Sequence, residues 1–189
     1  MTDSHSVPRD AGHDPRDASD AIRMFVSFDV DQYSDLLCWV VDEDGKNAYR
    51  THGVFAGTLH FDRASPLGFL VRGWGGDDLL SFQVVSATLI TIPAAPTLPP
   101  SPLDGVAVST FTMTGFPASD APKKKGDRYF ADVAGPTTVR VVDVDGGWHL
   151  RMVLTVQFTK ASPSNPADQV THTRTFYFDP ESQVGNGTR

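Results

Sequence analysis

The sequence predicts an all-β protein: a two-sheet antiparallel β-sandwich, immunoglobulin-like or jelly-roll in style, with little or no helix. Three observations predict it. The first is composition, since 20 Val, 17 Thr and 12 Phe stand among the 189 residues, and these types suit a pleated, half-buried surface. The second is periodicity: apolar residues recur at alternate positions along most of the chain, and no 3.6-residue stripe is long enough for a substantial helix. The third is punctuation, because 16 Gly and 14 Pro interrupt the chain at the short intervals that separate sandwich strands.

Residues 1–20 carry five Asp and almost no sizeable apolar group, so they read as a disordered acidic leader that cannot offset its ordering entropy. They lack the basic start and apolar middle of a secretory signal. A single domain is expected over 21–180. Ile22, Met24, Val26, Phe28 and Val30 alternate with mostly polar neighbours, a half-buried strand. A turn at Gln32–Ser34 leads to Leu36–Val41, apolar on both faces and therefore a candidate central strand. Asp42-Glu43-Asp44-Gly45 is a turn. Val54–Phe61 and Leu67–Trp74 follow as strands.

Leu79–Ile92 is the longest strand-like run. Its apolar phase is Leu80, Phe82, Val84 and then Val85, Ala87, Leu89; one extra residue turns later side chains over, so a β-bulge is expected near Val84-Val85. Five Pro between 93 and 102 exclude helix and central strand, leaving an extended Pro-rich crossover over 93–104. Val106–Met113 is strand-like, 114–128 a loop with Lys123, Lys124, Lys125 and Arg128, and Tyr129–Val133 a short edge strand. Val139–Val144 and Trp148–Phe158 flank Asp145-Gly146, a favoured two-residue turn, which predicts a hairpin with Val141 facing Leu150. Thr171–Phe178 is the last strand, and 181–189 a flexible tail.

The net charge of −7 disfavours phosphate backbones, so nucleic acid is not an expected partner. No apolar run reaches membrane-spanning length. Cys38 has no second cysteine to pair with, which fits the cytoplasm.

Phosphate loops, nucleophile elbows and paired metal-binding histidines are absent from the sequence. Asp29, Asp31 and Asp35 around one turn are the candidate metal ligands, with Ca²⁺ the cation that oxygen-rich loops take; the same residues also serve turn geometry. Trp74, flanked by Gly73 and Gly75-Gly76, is a candidate ligand-binding aromatic, as is Tyr33 in the Asp-rich turn.

The segment Thr175-Phe176-Tyr177-Phe178-Asp179-Pro180 resembles the ending of two groups of small bacterial β-sandwich proteins, the DP-EP family and the PixA/AidA inclusion-body proteins. There a final aromatic strand runs into Asp-Pro, here Asp179-Pro180. The resemblance implies a sandwich of undetermined role, with no catalytic residues to carry over. The expected function is therefore a non-enzymatic binding or self-associating module, a homo-oligomer or a receptor for a protein ligand. The alternative is a carbohydrate-binding or carbohydrate-processing sandwich, with Trp74 under the sugar and Ca²⁺ in the Asp-rich loop.

Overall fold

A computed structural model describes residues 22–43, 46–47, 59–61, 63–136, 138–178 and 181–184. The leader, Asp44-Gly45, residues 54–58 of the expected Val54–Phe61 strand, the Asp179-Pro180 dipeptide and residues 185–189 of the expected tail lie outside the described residues. Thirteen strands are present and no helix among the described residues. They are β1 (Ile22–Asp29), β2 (Cys38–Glu43), β3 (Lys46–Asn47), β4 (Leu59–Phe61), β5 (Pro66–Gly75), β6 (Leu79–Pro93) and β7 (Thr110–Met113). The chain continues through β8 (Lys123–Lys125), β9 (Arg128–Ala134), β10 (Val139–Arg140), β11 (Gly146–Ala161), β12 (Gln169–Phe178) and β13 (Glu181–Val184). Among the described residues no helix is long and apolar enough to cross a membrane.

The strands form two sheets, as the alternation predicts. One runs β3-β2-β1-β5-β9-β8 with β10 beside β5; the other runs β4-β13-β11-β6-β7 with β12 beside β11. Most pairs are antiparallel, but β1 and β5 are parallel along the whole of β1, and β13 and β4 are parallel as well. The chain between β1 and β5 makes this possible, because a parallel partner needs a long return.

The core is the space between the sheets. On β11 the stripe Trp148, Leu150, Met152, Leu154, Val156 and Phe158 is buried throughout. Phe28 of β1 meets Phe82 of β6 edge-on at 5.3 Å and stacks on Phe176 of β12 at 4.9 Å, so three rings tie one sheet to the other. Gly73 of β5 lies against them: a Cβ there would come within 2.9 Å of both Phe28 and Phe82. Gly73→Ala should therefore overpack the centre and cost about 1–3 kcal/mol. Chemical denaturation would check it, and an unchanged midpoint would refute the crowding.

The bulge lies where the phase slip places it. Thr155 pairs with Ser86 but Val156 with Val84, so Val85 is the extra residue and points outward. It bends the strand within one sheet. A second slip between Thr159 and Lys160 makes Leu80 the extra residue, which buries Leu79 and exposes Leu80. That reverses the expected start of the apolar phase.

Several expectations are corrected. The Asp145-Gly146 hairpin does not form: Val139 and Arg140 pair with Leu67 and Pro66 of the other sheet, and Val141 bridges to Leu103. Gly146 already belongs to β11. The Pro-rich segment folds over one end of the sandwich through turns at Ala95–Leu98 and Leu103–Val106, and its backbone bonds residues 140 and 142 before the chain returns to β7. Thr110–Met113 is shorter than the strand expected from Val106. The lysine run is an edge strand, β8, rather than loop, and β9 is internal beside it. Within the expected tail, Glu181–Val184 pairs with the start of β11. Leu36 is exposed and precedes β2, which is second from the edge of its sheet rather than central.

Candidate functional site

The Asp-rich turn after β1 is where charge concentrates. Asp29 begins it, accepting from the backbone N–H of Asp31, which is the local bonding that Asp favours in turns. Asp29 and Asp31 both receive Arg128 from β9. Asp31 also receives Lys160 at 2.6 Å from the far sheet and the backbone N–H of Gly76, and Lys160 reaches Asp78 at 2.8 Å. Burial opposes ionisation of Asp31, but the Lys160 hydrogen bond and charge, the Gly76 N–H and Arg128 together hold its carboxyl below the usual value. Burial likewise opposes the charge on Lys160, and its bonds to Asp31 and Asp78 outweigh that and raise its pKa.

Asp35 is separate from this network. Arg174 of β12 donates to its carboxylate at 2.8 Å and also to the carbonyls of Gln32, Tyr33 and Ser34. The three candidate metal ligands thus divide into two ion-pair groups, each already facing a protein cation. Among the described residues no cluster of three His, Cys, Asp or Glu is arranged for a metal ion. Chemically the turn is a clamp between the sheets.

Its pH signature follows from Asp31. A depressed folded pKa contributes stability above the unfolded value near 3.8 that is lost as pH falls through the folded value. Lys160→Met should lower the melting midpoint at neutral pH, with the gap to the unaltered protein narrowing below pH of about 4. Midpoints recorded from pH 3 to 7 would show this. A gap of constant size would contradict it.

Trp74 lies on the outer face of β5 in a second cluster. Its ring tilts against Phe130 at 5.2 Å. Arg72 lies over Phe130 at 4.5 Å and Phe25 at 4.9 Å, and its fork grips Asp132 at 2.6 and 2.7 Å. The Asp132 bonds outweigh burial and raise the Arg72 pKa. Trp74 is half-buried in this cross-strand group rather than standing alone as a platform. His172 stacks on Phe158 at 5.4 Å, and His149 lies across from Glu181 in the pairing of β11 with β13.

Tyr33 is different. At 104% relative exposure it is the most exposed large hydrophobic side chain among the described residues. Its own backbone is gripped by Arg174, so the loop that displays it is held. Leu36 and Tyr177, 53% and 47% exposed, lie side by side because Leu36 bridges to Tyr177 in parallel fashion. Tyr33, Leu36 and Tyr177 therefore share one rim, where the Asp-rich turn meets the end of β12. Leu36, Arg174 and Tyr177 were not among the candidates from sequence. The period of two marks Tyr177 as outward beside Phe176, and an Arg on the inner face of an aromatic strand signals acceptors within its reach.

Compared with protein-family models, with curated proteins and with solved structures, the chain finds no match in any of the three.

Proposed function

We propose that the chain is a non-enzymatic β-sandwich module that works by binding or self-association, with the Tyr33–Leu36–Tyr177 rim as its contact surface. The observation that carries this is a fully exposed tyrosine on a clamped loop beside two further exposed apolar side chains. A tyrosine held in place loses little freedom on contact, and such anchors dominate interfaces. The carboxylates that the sequence offers for Ca²⁺ face Arg128, Lys160 and Arg174, which supports a structural role for the turn. The single Cys38 suits a reducing compartment such as the cytoplasm. The likeness of residues 175–180 to the small bacterial sandwich families belongs to the same proposal and adds an architecture, not a role.

The test is a paired substitution, Tyr33→Ser with Tyr177→Ser. Light scattering across a range of concentrations should show weakened association, while the melting midpoint stays within about 1–2 °C because both side chains face solvent. A strict monomer at every concentration for the unaltered protein would remove self-association. Unchanged association in the variant would place the contact surface elsewhere.

A further inference from the structure

The two sheets treat their long edges differently. The seven-stranded sheet ends at β8, three exposed lysines in a row, a composition that discourages another strand from pairing. The six-stranded sheet presents β12 beside the first part of the rim, and β12 carries no Lys, Pro, Asp or Glu. Its one charged side chain, Arg174, is turned inward and tied to the Asp-rich turn.

The direction of the backbone groups on β12 can be read from its end. Tyr177 donates its N–H to Asp35 and accepts from Leu37, so both of its groups point away from β11. The register with β11 is unbroken from Gln169 to Phe178, and the direction alternates along a strand. Thr175, Thr173, Thr171 and Gln169 therefore aim N–H and C=O outward too. Beyond Tyr177 no backbone partner for this edge occurs among the described residues.

We infer that this edge is completed by a second copy of the chain, with β12 pairing antiparallel to β12 about a two-fold axis at His172. The inference rests on the self-association reading. Centring on His172 uses the whole outward stretch and stops short of Tyr177, which the 35–37 segment already occupies. It sets Thr171 against Thr173 and Gln169 against Thr175 of the second copy, each a pair that exchanges two backbone hydrogen bonds. The outer face agrees with this register. Threonine hydroxyls already meet there across strands, Thr155 with Thr175 and Thr159 with Thr171, so Thr171 against Thr173 continues an existing ladder. No like charges meet along the seam, although the chain as a whole carries −7, so a copy would approach where mutual repulsion is least. The two copies then share one continuous sheet with the rims flanking the join.

Cross-linking tests the register. His172→Cys should form a disulfide-linked dimer under mild oxidation, because a non-hydrogen-bonded antiparallel pair brings Cα atoms to about 4.5 Å. The chain carrying only Cys38 is measured alongside, and mass spectrometry must place the bond at 172. Thr171→Cys and Thr173→Cys should link when mixed and not when separate. Thr173→Pro removes an outward N–H that β11 does not use, so it should abolish the dimer and keep the fold. Dimers by light scattering that link nowhere along β12 would overturn this assignment and leave self-association standing. A monomer at all concentrations would overturn both.

Discussion

Phe176→Ala is expected to lower the unfolding free energy by about 3–5 kcal/mol, which for a chain of this size lowers the melting midpoint by roughly 6–20 °C. Phe176 is fully buried, and most of the rest of β12 is exposed. It is the one side chain of that strand driven into the centre of the core, stacked on Phe28 of the opposite sheet. Removing the ring leaves a cavity that Phe28 and Phe82 cannot collapse into without breaking their own edge-on contact. The Arg174 guanidinium, 4.9 Å over the ring, loses its support, so the Asp-rich turn should loosen as well. Calorimetry reads the midpoint, and hydrogen exchange at residues 32–36 reads the turn. A loss below about 1 kcal/mol would mean that β12 is held by its backbone ladder alone.

The second large effect belongs to Trp148. It is buried at the start of β11, and its indole N–H donates to the Pro99 carbonyl at 2.9 Å. Trp148→Ala should cost about 3–5 kcal/mol through cavity formation. Trp148→Phe separates packing from hydrogen bonding, because it keeps much of the apolar volume and leaves the Pro99 carbonyl without its indole donor, a loss of about 1–3 kcal/mol. The Pro-rich segment should be the part that changes first. Proteolysis between residues 94 and 104 would detect it, and a Phe variant as resistant as the parent would show that the hydrogen bond does not hold the segment.

What the sequence reveals, and what it conceals, follows from the range of the signals involved. The Val85 bulge is legible because a phase slip is a local property of one strand. The stripe on β11 is legible for the same reason. The Asp145-Gly146 hairpin misleads because turn preference is local and weak, whereas Val139–Val141 gains burial by joining Leu67 and Leu103. Nothing local separates one buried valine partner from another. The parallel match of β1 with β5 depends on residues far apart in the chain, and no pattern within either strand specifies direction. Asp29, Asp31 and Asp35 look alike in sequence; their division into two groups comes from Arg128, Lys160 and Arg174, about 100 or more residues away. Tyr33 was legible as a turn aromatic, and its rim became visible only once β12 lay beside it.

The pairing of β6 with β11 also has a temporal side. β6 ends at Pro93 and β11 spans Gly146–Ala161, so during synthesis β6 leaves the ribosome with its principal partner still to be made. At about 5–20 residues per second the wait lasts several seconds, and Phe82, Val84 and Leu89 lack the β11 strand beside them meanwhile. Pairing across so long a loop is slow in refolding too. The nascent chain in that interval is the form of this protein most in need of a chaperone.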